Sequence, residues 1–392
     1  MEKRLNYDTV IVGAGVSGLF TALNLPEDNK ILIICKEDLD TCDSMLAQGG
    51  ICVLLNDEDY PLYFEDTLRA GHYENRKESV EIMIKESRSI IDTLLAYGVD
   101  LERESDGSLK YTKEGAHSRA RICFHEDITG KAITTVLQSK VKELKNVEIM
   151  QYTCMTDLMI SDGVCNGIVA KNGDDTLYIS AKNTVLATGG IGGLYEHSTN
   201  FPCLTGDAIS IGQAHGIRME NLDYVQIHPT SLYTDKPGRR FLISESARGE
   251  GAILLNGKGE RFTDELKPRD IVSRAIKRQM QLEHSKHVWL SFENIDTQTI
   301  LHHFPNIYKT CLEEGYDITK QPIPVVPAQH YFMGGIWVDR VSKTSAENLY
   351  AVGETSCNGV HGRNRLASNS LLEALVFARR AARDISGKAQ DI

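Results

Sequence analysis

The stretch Tyr7-Asp8-Thr9-Val10-Ile11-Val12-Gly13-Ala14-Gly15-Val16-Ser17-Gly18 decides the fold of this chain. Its first half is a short apolar run rich in β-branched residues, and Leu19 to Leu23 continue after the glycines with helical spacing. Gly13 allows a tight turn, Gly15 lets the backbone approach a pyrophosphate, and Gly18 lets the helix pack against the strand. The helix N-terminus adds free N–H groups and a partial positive charge that favour phosphates. The pattern predicts a dinucleotide-binding strand, loop and helix, although a purely structural glycine turn has the same letters.

The residues after this unit distinguish between dinucleotides. A second buried strand, Lys30 to Cys35, ends about twenty residues beyond the glycines, as a βαβ unit requires. For NAD an acidic residue is expected at the end of that strand, but Lys36 occupies the position and Glu37 follows it. This weakens NAD and leaves FAD open. The loop from Asp43 to Gly50 has short polar groups that can lie along a flavin, or it is a surface turn.

Further apolar runs extend the parallel sheet and its helices. A helix is predicted from Ser79 to Tyr97, before Gly98, and another from Ser370 to Ile385. Residues 146–180 alternate short apolar runs with turn signals, which predicts a β-meander. Two more buried strands, 183–188 and 348–353, end near glycines and can face a cofactor. The sequence therefore predicts an α/β fold: a Rossmann-like domain from residues 1–221 and 333–392, with an inserted α+β capping domain over 222–332.

Composition excludes several classes of protein. A chain of 392 residues exceeds a single core, which usually stops growing near ~250–300 residues, so two domains are expected. A net charge of −11 argues against nucleic acid or an anionic membrane as the main partner. No leader segment or run of 18 apolar residues occurs, so a cytoplasmic location is expected. The nine cysteines include no Cys-x-x-Cys pair, and His302-His303 has no partners at metal spacing, so no metal is predicted.

Six motifs carry a resemblance over nearly the whole chain: LAQGG at 46–50, HPT at 228–230, SESARGEG at 244–251, PRDIVSRA at 268–275, HYFMGG at 330–335 and NRLASNSLLE at 364–373. In this order they resemble the flavoprotein superfamily of succinate dehydrogenase, fumarate reductase and L-aspartate oxidase. The resemblance implies a GR2-type FAD-binding domain, and the negative charge leaves no nucleic-acid or membrane partner expected. It also implies a C-terminal helical domain, but this chain stops about twenty residues after Leu372. We expect FAD and substrate to bind without that domain, and stability or partner docking to suffer.

Two features are similar to the aspartate oxidase branch. The segment Thr112 to Ser118 resembles the one whose glutamate, Glu114 here, lies near the substrate's amino group. Asp43 occupies the position of the histidine that bonds FAD covalently in succinate dehydrogenase-type relatives, which implies non-covalent FAD. The activity so implied is oxidation of L-aspartate to iminoaspartate, the first step of de novo NAD synthesis. Fumarate or O2 would be the electron acceptor, and quinolinate synthase a possible partner.

The resemblance implies roles for individual residues. The substrate-binding set is Gln48, Glu114, Ser244, His330 and Arg365, and the catalytic set is His228, Glu245 and Arg269. The cofactor-binding set is Gly13, Ala14, Gly15, Val16, Ser17, Gly18, Lys36, Asp43, Ser44, Ala47, Gln48, Gly49, Gly50, Asp207, Glu354, Ser370 and Leu371. A planar guanidinium suits a carboxylate, histidines can donate to its oxygens, and a carboxylate accepts from an ammonium. Arg269 would move a proton near the substrate carbon, supported by Glu245.

Each assignment has a plainer alternative. His228-Pro229 occurs in capped turns, and Arg269-Asp270 at a helix start can be a surface ion pair. Glu114 can be a solvated loop carboxylate that pairs with Arg119 or Arg121. Two departures from the family pattern are Ser244 in place of the commoner threonine, and Arg363 where a small residue is usual.

Two other functions stay open at this point. A soluble fumarate reductase or succinate oxidase would share the arginines and histidines but would not need Glu114. A non-catalytic flavin-binding assembly subunit would hold FAD without turnover.

Overall fold

The structure is a computed structural model that describes residues 1–388, so the last four residues of the predicted second part of the nucleotide domain lie outside the described residues. The strands are β1 Glu2–Val12, β2 Ile31–Ile34, β3 Ile51–Cys52, β4 Ile122–Cys123, β5 Val147–Met150, β6 Thr153–Ser161, β7 Val164–Asn172, β8 Asp175–Leu186, β9 Met219–Glu220, β10 Val225–Leu232, β11 Ile253–Leu255, β12 Val288–Ser291, β13 Ile323–Phe332, β14 Gly335–Trp337, β15 Leu349–Ala351 and β16 Ser356–Cys357. The helices are α1 Val16–Asn24, α2 Tyr60–Ala70, α3 Lys77–Tyr97, α4 Thr129–Glu143, α5 Asp207–Ala214, α6 Glu245–Gly249, α7 Arg269–Glu283, α8 Thr297–His303, α9 Pro305–Glu313 and α10 Asn369–Ile385.

The largest sheet has seven strands in the order β5-β2-β1-β8-β7-β6, and β15 also pairs with β8. Strands β5, β2, β1, β8 and β15 run parallel, whereas β6, β7 and β8 form an antiparallel meander. Parallel strands buried on both faces read as continuous apolar runs, and all four residues of β2 are buried. The predicted α/β class and the parallel sheet are confirmed.

The opening strand, loop and helix form as predicted, but β1 begins five residues earlier, at Glu2. Its first half pairs with the meander strand β8, from Glu2 opposite Thr176, and this half is mostly exposed. Those residues lack the apolar run from which the strand was recognised. The last four residues of β1, from Thr9 to Val12, are buried and carry the pattern.

The last strand of the meander and the buried strand predicted over 183–188 are one element. Strand β8 runs without a break from Asp175 to Leu186, pairing first with β7 and then, from Thr184, with β15. The two halves have different sequence patterns, because the first half alternates buried and exposed residues whereas the end is buried on both sides. One strand therefore joins the exposed meander to the buried edge where β1 and β15 also end.

Residues between β9 and β14 form a second sheet of four antiparallel strands in the order β10-β13-β12-β11. Its apolar side chains, with those of α7, α8 and α9, make a separate hydrophobic core that runs from Leu232 to Val325. Two further cores lie on the main sheet. The predicted domain boundaries at 221/222 and 332/333 stay predictions.

Two predicted helices are found with small shifts at their starts. Helix α3 begins at Lys77 and ends before Gly98, which adopts a left-handed conformation with φ of 96°. Helix α10 begins at Asn369 and packs against α1 and α3. Within residues 1–388, no helix combines the length and the apolar character needed to cross a bilayer.

Candidate active site

A deep cavity opens where β1, β2, β8 and β15 end, between the main sheet and the second sheet. Its volume, counted to its opening and including the space open to solvent, is about 1690 Å³. Every residue of the predicted cofactor, substrate and catalytic sets lines it except Gly18. The cavity therefore brings together predicted residues that are up to 358 positions apart, from Gly13 to Leu371.

The glycine loop forms one end of this cavity. Gly13 has φ of 116°, and a Cβ there would lie 2.0 Å from the Ala187 carbonyl oxygen. A Cβ on Gly15 would meet only Ser44 Oγ, at 3.1 Å, so this glycine keeps the backbone open to the cavity. Gly18 was predicted to bind cofactor, but a Cβ there would lie 2.1 Å from Gly13 O. Its position is a packing position, away from the cavity.

These features fit the pyrophosphate of FAD. Gly15 is the N-cap of α1 and has no side chain with which to cap the helix. Because Gly15, Val16 and Ser17 line the cavity, the amide groups of the helix N-terminus border it. The amide of Val16 donates to Ser44 Oγ at 3.1 Å, which joins the second predicted loop to the first. The Asp43 to Gly50 segment is thus part of the cavity wall. Its first residues, Asp43–Leu46, form a 3-10 helix.

Lys36 shows why the end of β2 lacks the usual acidic residue. Its Nζ lies 2.5 Å from an oxygen of Asp207 and donates to Thr205 Oγ1 and to Cys203 O. Lys36 and Asp207, both predicted to bind cofactor, are therefore ion-paired across the cavity wall. An acidic side chain, Asp207 at the start of α5, thus lies beside the end of β2.

Two buried carboxyls lie where FAD is expected. Burial raises the pKa of Asp43 to about 7 and the pKa of Glu354 to about 8. Asp43 Oδ1 accepts from the Phe201 amide at 2.9 Å, and Oδ2 finds no partner among the described residues. Glu354 Oε1 accepts from the Phe332 amide at 2.8 Å. The unpartnered Asp43 oxygen and the buried Glu354 carboxyl suit the many polar groups of a dinucleotide.

Glu114 is buried in a polar cluster at the other end of the cavity. Its Oε1 accepts from the Ser246 hydroxyl at 3.0 Å and its Oε2 from the Ser368 hydroxyl at 2.5 Å. Burial raises its pKa, and the charge of Glu245 adds to the effect. Arg121 pairs instead with Asp59 and Asp66, so the alternative of an Arg121–Glu114 pair is wrong. Nor is Glu114 a solvated loop residue, being 2% exposed.

The arginine at the start of α7 is likewise buried. Arg269 Nε lies 2.5 Å from Glu245 Oε2, and Arg248 lies 3.5 Å from the same oxygen. Burial raises the pKa of Glu245, but the charges of Arg269 and Arg248 outweigh it and hold the pKa below its usual range. The surface ion pair considered for Arg269 and Asp270 is therefore wrong: Asp270 pairs with Arg274.

Arg365 faces Arg269 across a shared neighbour. The Gln226 side-chain oxygen accepts from Arg269 at 2.9 Å and from Arg365 at 3.3 Å. Burial, with the nearby Arg269 charge, lowers the pKa of Arg365 to about 10. Its guanidinium stands 4.4 Å from the centre of the Tyr331 ring and donates to Ser370 Oγ at 2.5 Å. Two guanidinium groups held this close favour an anion between them.

Arg363, the second arginine of this loop, lies apart from the cavity. Its side chain is 58% exposed, 3.8 Å from Glu74, and its guanidinium stacks over Tyr224. Arg363 therefore faces solvent, and Arg365 is the arginine of this loop that lines the cavity.

Two neutral histidines complete the charged centre. Burial, with the nearby cations Arg269 for His228 and Arg365 for His330, lowers both pKa values well below the usual range. His228 Nδ1 lies 3.2 Å from the Thr230 amide and 3.1 Å from the Thr230 carbonyl oxygen; in the tautomer that accepts from the amide, the ring proton is on Nε2, an atom without a partner among the described residues. His330 Nδ1 lies 2.7 Å from Thr199 Oγ1, and the two rings are 5.0 Å apart. The pair offers uncharged donors to an anion.

Several residues of the centre carried no sequence signal. The residues that were not predicted are Gln226, Ser246, Ser368, Tyr331, Thr199 and Arg239. Ser368 and Tyr331 lie within recognised motifs, beside residues that were chosen. Gln226 lies two residues before His228 on β10, so alternation along a strand places both on one face. Within residues 1–388, no group of three or more His, Cys, Asp or Glu side chains is arranged to hold a metal ion.

Comparisons with known proteins agree on one relationship. The FAD-binding domain family matches residues 8–371. The chain is 51% identical to L-aspartate oxidase from Clostridium perfringens over 97% of its own length and 86% of the relative's. It is 41% identical to L-aspartate oxidase from Nostoc over 97% of its length and 68% of the relative's. The structure of E. coli quinol fumarate reductase superposes with a TM-score of 0.92 at 30% identity, covering 99% of this chain and 71% of that one.

Proposed function

Because the chain belongs to the L-aspartate oxidase family of FAD-dependent oxidoreductases, we propose that its charged centre binds L-aspartate and oxidises it to iminoaspartate. The observation that supports this most is the pairing of buried cations with one buried carboxylate. Arg269 and Arg365 share Gln226, while Glu114 lies in the same cavity and is held by hydroxyls only. L-Aspartate presents the complementary charges, two carboxylates and one ammonium.

The proposed binding mode follows from these charges. Arg365 and Arg269 bind substrate carboxylates, with His228 and His330 as neutral donors, and Ser244 adds a hydroxyl. Glu114 accepts from the ammonium. Gln48 lines the same wall, donates to Leu242 O at 2.8 Å and keeps its side-chain oxygen for a ligand. The mode distinguishes aspartate from succinate at Glu114, because succinate has no group that compensates this buried charge.

The chemistry divides between the protein and its cofactor. FAD supplies the acceptor for the hydride that leaves Cα. The proposed FAD-binding residues are those of the glycine loop together with Lys36, Asp43, Ser44, Ala47, Gly49, Gly50, Asp207, Glu354, Ser370 and Leu371. The side chains fix the substrate, exclude water from the buried centre and manage protons. With fumarate as the acceptor, Arg269 is the residue that delivers a proton to the substrate carbon, and Glu245 with Arg248 resupplies it.

The test is anaerobic titration of the FAD-loaded protein with L-aspartate. Loss of flavin absorbance with stoichiometric aspartate, and a far weaker response to succinate, is the expected result. FAD that stays oxidised with aspartate contradicts the proposal and favours a non-catalytic flavin-binding subunit. Comparable bleaching by succinate favours a succinate oxidase.

Three finer proposals concern the setting of the reaction. Fumarate and O2 are the proposed acceptors, and the likeness to a fumarate reductase supports the first. Anaerobic turnover with fumarate, against peroxide release in air, separates them. Transfer of iminoaspartate to quinolinate synthase and a cytoplasmic location are also proposed, and co-purification and cell fractionation test them.

A further inference from the structure

A second, smaller cavity adjoins the charged centre. It is small, with room for about one water molecule beside its opening. It shares Gln48, Gly49 and Ser244 with the main cavity, and it is otherwise lined by different residues, among them Ser246 and His303. The wall between the two cavities is therefore thin at this point.

Ser246 connects the two cavities. Glu114 lines the main cavity, Ser246 lines the second, and the Ser246 hydroxyl donates to Glu114 Oε1 at 3.0 Å. The Ser246 oxygen in turn accepts from the Ser244 hydroxyl at 3.2 Å. Ser368, the other hydroxyl bound to Glu114, lines only the main cavity of the two. Of the two hydroxyls that bind Glu114, the one of Ser368 therefore belongs to the main cavity and the one of Ser246 belongs to the second cavity.

The second cavity ends at a titratable pair near solvent. The Glu250 amide donates to Ser246 O at 2.8 Å, so the two residues are one helical turn apart and share a face. Glu250 Oε1 lies 3.4 Å from His303 Nδ1, and these side chains are 31% and 21% exposed. A proton that reaches this pair is in contact with bulk water.

The proposed reaction needs such an exit. L-Aspartate enters with an ammonium, and hydride loss from Cα requires the nitrogen lone pair, so one proton must leave before each turnover. Glu114 is the carboxylate available to take it, because Glu245 is held by Arg269 and Arg248. Burial makes Glu114 a stronger base than an ordinary glutamate, since it raises the pKa. Being buried, Glu114 also needs a route by which to lose that proton.

We propose, resting on the function proposed above, that Ser246 and the second cavity carry the ammonium proton from Glu114 to solvent at Glu250 and His303. The substrate N–H bond breaks as an O–H bond forms on Glu114. The Ser246 hydroxyl then rotates away from Glu114, so that Ser246 Oγ takes this proton as its own hydroxyl proton passes to water in the second cavity. That water delivers a proton to His303 or Glu250, and no atom changes oxidation state.

The other acidic groups of the second cavity are Glu126 and Asp127. Burial raises the pKa of Asp127 to about 6, and its carboxylate accepts from the Asn306 and Ile307 amides at 3.1 and 2.6 Å. Asp127 therefore holds the start of α9 and is not free to relay. Glu126 has φ of 45°, a left-handed conformation that is costly for this residue type and occurs often at functional sites.

The test compares Ser246→Ala with Ser368→Ala, a matched pair in which each variant removes one hydroxyl from Glu114. Stopped-flow reduction of bound FAD by aspartate is measured in H2O and D2O, with ordinary and Cα-deuterated substrate. For Ser246→Ala we expect a rate roughly 10- to 100-fold lower, a larger solvent isotope effect and a Cα isotope effect that falls toward 1. Ser368→Ala should keep the wild-type isotope pattern, and Ser246→Thr should restore it.

The outcomes are separable. A slow Ser246→Ala variant with an undiminished Cα isotope effect and no new solvent effect means a distorted site, and it overturns the proposal. A His303→Ala variant that imidazole in the buffer accelerates supports the exit, and one at wild-type rate with wild-type isotope effects counts against it. Wild-type enzyme that aspartate does not reduce at all refutes the proposed function instead. Bound FAD content and the unfolding temperature of each variant show that the fold is kept.

Discussion

At the scale of single residues, the active centre is a set of buried charges that partly offset one another. Glu245 lies against Arg269 and Arg248, whereas Glu114 and Arg365 have only neutral hydrogen-bonding partners among the described residues. A buried charge without a counter-charge is costly. These two side chains are consequently the ones whose charges are compensated most by a substrate that has carboxylates and an ammonium.

Glu114→Gln should lower kcat/KM for aspartate by roughly 10- to 100-fold, because a charge-assisted bond to the ammonium becomes a neutral one. Fumarate reduction, in which no ammonium takes part, should be unchanged or faster, because fumarate, like succinate, has no group that compensates the Glu114 charge. Both rates are measured on the same FAD-loaded preparation. Equal losses in the two reactions would show that Glu114 shapes the cavity and does not read the amino group.

Arg365→Leu should lower kcat/KM by more than about 100-fold, because it removes a bidentate donor and leaves the substrate carboxylate unpaired in a buried site. Arg363→Leu is the matched control, since the side chain two positions earlier is 58% exposed and far from the cavity lining. The control should stay within about two-fold of the wild type, as surface substitutions usually do. Similar losses in both variants would point to a general effect on the loop.

The charged residues of the centre could be anticipated from sequence because each lies in a motif with unusual composition. Gln226 could not, although it joins Arg269 to Arg365, since a single glutamine within β10 has no distinguishing neighbours. Ser246 is similar: two serines flank Glu245, and only the fold shows which one reaches Glu114. Such pairings depend on contacts 43 to 254 positions apart, which local pattern does not encode.

At the scale of elements, the strand, loop and helix that open the chain have two roles, a tight turn and an open approach for a phosphate, and different glycines serve each role. Gly13 makes the turn possible beneath Ala187, and Gly15 leaves the backbone open to a phosphate. The glycine motif predicted both roles. They did not show that Gly18 lies outside the cavity, because packing against Gly13 is a contact inside the fold.

Gly15→Ala should therefore fold almost normally and bind FAD at least roughly 10-fold more weakly, since the methyl group narrows the approach of the pyrophosphate. Gly13→Ala should fail to give stable protein, because the new Cβ would meet backbone at 2.0 Å and φ is 116°. Gly259→Ala, with φ of 79° and open space around it, isolates the backbone strain alone. Unfolding temperatures without FAD and FAD dissociation constants give the comparison; equal destabilisation by all three variants would contradict it.

At the scale of the whole molecule, the cavity exists because strand ends from the main sheet meet residues of the second sheet and α7. The class of fold followed from the glycine loop and the apolar runs, since both are local. The pairing of β8 with β1, β7 and β15, and the union of its two halves, depend on long-range contacts that no local pattern specifies. The motif order supplied the remaining information through family resemblance.

The cavity's buried carboxyls make the FAD-free protein sensitive to pH. The folded pKa values of Asp43, about 7, and Glu354, about 8, lie above the unfolded values of about 4, so the folded state binds these protons more tightly. Their contribution to stability is present at low pH and is lost as pH rises through 7 and 8. Asp43→Asn should raise Tm by roughly 2–5 °C at pH 9 and change it little at pH 5, whereas exposed Asp28→Asn should change neither. Thermal unfolding of apoprotein from pH 5 to 9 measures this, and a Tm gain that is equal at both ends would contradict the assignment.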